Sequence, residues 1–154
     1  MAHDPEARLK ELDLTLPSLK SPVANYVSFK RVGDMAYLSG QGPANLDGSY
    51  PTGKVGADID IETAYAHARA TGLGLLAAAK AAAGSLAKVE IVKVLGMVNA
   101  APEFRDHPKV INGCSDLFVE ILGERGRHAR SAVGMGSLPN MMTVEIEVII
   151  KIHD

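Results

Sequence analysis

At 154 residues, 47% hydrophobic and 22% charged, the chain has the composition of a folded globular protein, and disorder is excluded for its bulk. A net charge of −2 and a pI near 6.2 exclude a global basic field that would gather nucleic acid or anionic lipid. The single cysteine, Cys114, excludes an intrachain disulfide, and no apolar run approaches the ~20 residues of a membrane span.

The first residues, Met1 to Arg8, lack the apolar core of a signal peptide, so a cytoplasmic location is expected. No repeat or linker divides the sequence, and one domain over 1–154 is expected, with a short N-terminal helical extension at about 4–13. Asp4 and Pro5 supply the N-cap and first residue of that helix. Pro17 to Pro22 reads as a connector. Residues 25–31 and 35–39 read as two strands joined at Val32-Gly33-Asp34, and Pro43 to Asp60 as a loop with one short strand.

Asp60 caps a long helix from Ile61 to Ala83 that stops at Gly84. Its Ala-rich half has high helix propensity and little bulk, which suits close packing. Val89 to Asn99 is apolar on both parities apart from Glu90 and Lys93, the pattern of a central strand covered on both faces. Pro108 opens a second long helix, whose stripe Val110, Ile111, Cys114, Leu117, Phe118, Ile121 and Leu122 ends at Gly123. In the last strand Val144, Ile146, Val148, Ile150 and Ile152 alternate with Thr143, Glu145, Glu147, Ile149 and Lys151. The first set must face the helices. Two helices on one face of a mixed sheet make an α+β layer architecture. The second face carries Ile149 beside Glu145 and Glu147, and a carboxylate covered there needs a partner or a job.

Candidate sites are few. His3, His67, His107, His128 and His153 show no metal-ligand spacing, so no metal is expected. Gly134-x-Gly136 lacks the third glycine and following helix of a dinucleotide loop. Cys114 sits on an apolar stripe and reads as a small buried hydrophobe. Arg125, Arg127, His128 and Arg130 form a basic cluster without interleaved aromatics, a local anion site and not an RNA groove.

Between Arg130 and Glu145 lie Gly134, Gly136, Ser137, Pro139 and Asn140, a dense set of turn residues. Folding the chain back about residues 137–138 sets Arg130 opposite Glu145 and Ala132 opposite Thr143, on one sheet face. Such a pair is either a surface ion pair worth at most about 1 kcal/mol or a guanidinium and carboxylate placed to grip an acid and move a proton.

Ala129-Arg130-Ser131, Leu138-Pro139 and Val144-Glu145-Ile146-Glu147 resemble the C-terminal signature of the Rid superfamily, the YjgF-type reactive intermediate deaminases. Val32 to Gln41, ending in Ser39-Gly40-Gln41, resembles the family's second block, with Tyr26 at the expected distance before it. The likeness runs from about Tyr26 to Ile152. It departs at Ala132, where many relatives have Cys, at Asn25, where Gly-Pro usually precedes the Tyr, and in the segment from Asn99 to Phe104, which reads as longer than its counterpart. The chain reads as a divergent branch.

The resemblance implies a chorismate mutase-like fold and a homotrimer with ligand clefts between subunits. It implies hydrolysis of enamine or imine intermediates to a 2-keto acid and ammonia, without a cofactor. Arg130 would hold the substrate carboxylate, Glu145 would act as general acid/base, and Tyr26 and the Ser39-Gly40 backbone would touch the substrate. The expected partners are a small carboxylate-bearing metabolite and further copies of the chain, with no membrane and no nucleic acid. Two alternatives stay open: non-catalytic binding or sensing of a 2-keto acid, and endoribonuclease-like activity.

Overall fold

The computed structural model describes residues 3–19, 21–22, 24–45 and 47–154. Among these, α1 spans Pro5–Glu11, β1 Phe29–Val32, β2 Met35–Gln41, α2 Ile61–Ala83, β3 Val89–Asn99, α3 His107–Leu122, β4 Ala129–Met135 and β5 Val144–Ile152.

The helix boundaries follow from local chemistry. The Asp4 side chain accepts from the Glu6 and Ala7 amides at 3.0 and 3.2 Å, and Pro5 opens α1. Asp60 accepts from the Thr63 amide at 2.7 Å, a bond that holds its carboxyl below the usual range. Gly84 ends α2 at φ 82°, a left-handed conformation that costs glycine nothing. α3 carries Pro108 in its first turn and ends against Gly123.

The five strands form one sheet in the order β1-β2-β5-β3-β4, antiparallel throughout except for the parallel pair β3–β4. Both long helices pack on one face. Val144, Ile146, Val148, Ile150 and Ile152 point into that layer with Val94 and Val98, against Ile111, Cys114, Leu117 and Phe118 of α3. The alternation of β5 is therefore as expected. At the crossing of α2 and α3, a Cβ on Gly113 would collide with the Tyr65 carbonyl oxygen, so the two backbones touch directly. α1 lies over this layer: Leu9 is buried, Glu6 pairs with Lys80 of α2 at 3.1 Å, and His3 bonds the Ile121 carbonyl of α3.

Three expectations need correction. First, β4 and β5 are not a hairpin. α3 carries the chain from β3 to a parallel β4, and β5 returns on the other side of β3. Arg130 pairs with Val94 and Glu145 with Met97, so neither Arg130 and Glu145 nor Ala132 and Thr143 face each other. The chain does reverse between β4 and β5, but the turn crosses the end of an intervening strand. Second, β3 is covered on one face only in a single chain. Lys93, Leu95 and Met97 on the open face remain partly exposed, and Val92 sits in a bulge opposite β5. Third, the strand expected over 25–31 begins only at Phe29, although the Ser39 amide still bonds the Ser28 carbonyl at 3.0 Å.

Candidate functional site

β2 loses its register with β5 between Leu38 and Gln41, and this bulge shapes the candidate site. Leu38 pairs with Val148 and Gln41 with Ile146, both on the helical side, so the extra residue lies between them. Ser39 turns its hydroxyl to the Val27 carbonyl at 2.6 Å, which ties the 24–28 segment along the strand. The Gln41 carboxamide crosses toward α2 and donates to the Gly74 carbonyl at 3.3 Å.

Gly40 lies directly against Glu145. A Cβ at Gly40 would stand 3.2 Å from Glu145 Oε1 and 3.3 Å from two side-chain carbons, so the absent side chain is what lets the carboxylate lie flat there. Glu145 is half-buried and has no hydrogen bond or ion pair among the described residues. Burial, and then the neighbouring Glu147 charge, push its pKa above the ordinary 4.5. Unpaired carboxylates with raised affinity for a proton, set in a cleft, mark functional sites.

A cleft of about 400 Å³ opens here. Tyr26, Ser39, Gly40 and Glu145 all line it, so the structure brings together four of the five expected site residues. Among the walls the sequence reading missed are Tyr50, the small residues Ala70, Gly74 and Ala77 of α2, Pro139, Asn140 and Met142 of the turn before β5, and Pro17, Leu19 and Pro22 of the connector. One local signal was present in Asn140, which adopts φ 55° as Asn tolerates. Nothing in the sequence marks Met141, also left-handed at φ 54°. That turn is fastened from below. The Met141 carbonyl accepts from the Gly53 amide at 3.0 Å, and the Asn99 carboxamide, fully buried with Oδ1 unpartnered among the described residues, approaches it at 3.5 Å.

Arg130 is elsewhere. It shares the register position of the inward-facing Val94 and lies at the outer strand β4, where Nη1 donates to Asn112 Oδ1 at 2.8 Å and Ser115 Oγ at 3.1 Å, both on α3. The bonds behind it have one consistent direction. His128 Nδ1 faces the Gly126 carbonyl at 2.6 Å and must carry a proton there, which leaves Nε2 to accept from Ser115 Oγ at 2.9 Å. The serine lone pairs then face the guanidinium. Burial lowers the His128 pKa and Arg130 lowers it further, against the Gly126 bond, so the neutral imidazole is favoured. Arg130 is thus held in place with part of its fork still unengaged among the described residues.

The other candidates have structural roles. Burial pushes the Cys114 thiol far up, so it is no nucleophile. Arg125 donates to the Ala87 carbonyl and Arg127 pairs with Glu124, so the basic cluster does not converge on one anion site. His67 bonds Thr143 Oγ1 at 2.8 Å. No group of three or more His, Cys, Asp or Glu capable of holding a metal occurs among the described residues, and no helix there is long and apolar enough to cross a membrane.

Residues 6–148 match the family described as "YjgF/chorismate mutase-like, putative endoribonuclease". The chain is 38% identical over 150 residues to Protein TCP17 of Trypanosoma cruzi, covering 96% of this chain and 94% of that protein. Among solved structures it resembles the protein Atu1372 "with unknown function" from Agrobacterium tumefaciens, at 46% identity and a TM-score of 0.87 over 96% of this chain and 93% of that one. It also resembles a "putative endoribonuclease" from Shewanella oneidensis, at 33% identity and a TM-score of 0.91 over 97% and 100% of the two chains. RidA from an Antarctic Psychrobacter is a more distant likeness, at 27% identity and a TM-score of 0.60 over 87% and 94%. The chain belongs to the YjgF/chorismate mutase-like family, the group that contains the Rid proteins.

Proposed function

We propose that this member of the YjgF/Rid group hydrolyses 2-imino acids and their enamine tautomers to 2-keto acids and ammonia, and that the site is completed by a second copy of the chain. The observation that carries the reading is Glu145: a half-buried, unpaired carboxylate with raised proton affinity, lining a cleft beside Gly40.

The chemistry asks little of the protein because the C=N carbon is already electrophilic. Glu145 accepts a proton from water as its oxygen attacks that carbon. That proton passes to nitrogen to give the carbinolamine. Glu145 then takes the proton of the new hydroxyl and hands it to the same nitrogen, so that the C–N bond breaks, ammonia leaves and the C=O bond forms. An enamine first takes a proton from neutral Glu145 at the carbon next to the one that bears nitrogen. The resulting iminium returns a proton to Glu145 to become the imine. One group serves both as acid and base because its pKa is brought nearer to neutrality.

The substrate carboxylate needs a cation, and no Lys, Arg or His lines the cleft among the described residues. Glu145 lies on the open face of the sheet and Arg130 toward the helical side at its rim. A site that uses both therefore takes Arg130 from the partner subunit. The open face supports such assembly. Tyr37 and Val133 are 49% and 39% exposed there, and Leu95, Met97 and Ile149 are only partly covered. A homotrimer closes the arrangement.

The test is ammonia release from freshly generated 2-imino acids by purified protein, with Glu145→Gln and Arg130→Ala alongside. Acceleration over the uncatalysed rate that both substitutions abolish supports the reading. Equal rates with and without protein, while 2-keto acids still bind, would make this a metabolite sensor instead.

A further inference from the structure

The cleft has two different ends. Glu145 and Gly40 belong to the open face of the sheet, whereas Gln41 turns to the helical side and meets α2 at Gly74. The cleft therefore passes from one layer to the other around the end of β2. Its far wall is Ala70, Gly74 and Ala77, spaced i, i+4 and i+7 on one face of α2. Tyr26, Tyr50, Met142, Leu19 and Pro22 line the same cleft. Small side chains leave this wall without bulk. A Cβ on Gly74 would stand 2.5 Å from Gln41 Oε1 and drive that carboxamide into the cavity. Glu145 is the only carboxylate in the lining among the described residues.

A volume of about 400 Å³ falls in the range of clefts, ~300–1,000 Å³, that enclose drug-sized ligands. A three-carbon acid reacting at Glu145 would leave the α2 end filled with water against alanine, methionine and tyrosine surface. We propose that the substrate carries a bulky apolar side chain, of leucine or phenylalanine size, which reaches from the reacting carbon at Glu145 to the Ala70–Gly74–Ala77 wall. This rests on the deaminase reading and names the substrate class of the same site.

The test compares kcat/KM for 2-imino acids generated from leucine, phenylalanine and alanine, and measures calorimetric binding of the three corresponding 2-keto acids. The larger substrates should be favoured by about tenfold or more, the scale of one to a few methylenes in an apolar pocket. Ala70→Leu, at an exposed helical position that leucine suits, should reduce that ratio to within about threefold by occupying the wall. Gly74→Ala, which displaces Gln41, is the second variant should the first not fold. A preference for the alanine-derived substrate, or a ratio unmoved in the folded variants, overturns the proposal. So does failure of all three 2-keto acids to bind. Absence of turnover with the binding preference intact removes the deaminase reading and leaves the side-chain assignment standing.

Discussion

Arg130 and Glu145 lie on two different strands that never pair: β3 runs between them, and Arg130 is bonded to α3 while Glu145 borders the cleft beside Gly40. A mechanism needing both in one site cannot be carried out by one chain alone. Mixing Arg130→Ala and Glu145→Gln chains and reassembling them should restore activity that neither has alone. In a randomly mixed cyclic trimer roughly a quarter of the sites regain both residues. No recovery in an assembly proven to be mixed would place the two roles in one chain or remove one of them.

Glu145→Gln should keep the fold and much of the affinity for a 2-keto acid, while turnover falls by ~10²–10⁴-fold, the usual scale for loss of a general acid/base. Glu147→Gln is the control, being more exposed on the same strand. Its charge is one cause of the raised Glu145 pKa, so its removal should shift the acid limb of the pH–rate profile downward while costing less rate. Identical profiles in Glu147→Gln and wild type would argue against Glu145 as the titrating group.

The same carboxylate makes a stability prediction. A folded pKa above 4.5 means that the folded state holds this proton more tightly than the unfolded chain does. The contribution is intact below pH 4.5 and is lost as pH rises through the folded pKa. Glu145→Gln should therefore melt higher than wild type near neutral pH, and the gap should close on acidification to about pH 4. Thermal melts across that window, showing a gap of opposite sign, would count against the burial account.

Arg130→Lys should weaken 2-keto acid binding by about tenfold or more, because ammonium cannot reproduce the bonds to Asn112 and Ser115 and a two-pronged grip on a carboxylate. Calorimetry reads this directly. Lysine binding as well as arginine would reduce the role to a point charge.

Gly113→Ala should cost about 3 kcal/mol, since its methyl group meets the backbone of α2 at Tyr65, which cannot move aside like a flexible side chain. Gly136→Ala has open space around it and should be within about 0.5 kcal/mol of wild type or better. Urea denaturation of the two distinguishes a packing glycine from one that merely sits in a turn.

Elements written in neighbouring residues were determined by the sequence itself. Asp60 and Gly84 bracket α2, the apolar stripe from Val110 to Leu122 defines the buried face of α3, and the alternation of β5 picks out its helical side. Each depends on interactions a few residues apart, so the local pattern was enough. The family likeness in Tyr26, Ser39, Gly40 and Glu145 also named residues that share a cleft. Which strand lies beside β4 was decided only in three dimensions. A tight turn after β4 is compatible either with pairing to β5 or with a passage over an intervening strand. The choice fell to β3, whose apolar residues must be buried between β5 and β4, and to α3, whose crossover returns the chain parallel to β3. The same distance in sequence hid the cleft's α2 wall, because alanine and glycine in a helix read as packing residues until the loop from Pro139 to Met142 is set across from them. Burial and pairing between distant segments are properties of the whole chain, and they moved Arg130 to the far side of the sheet from the carboxylate it was expected to face.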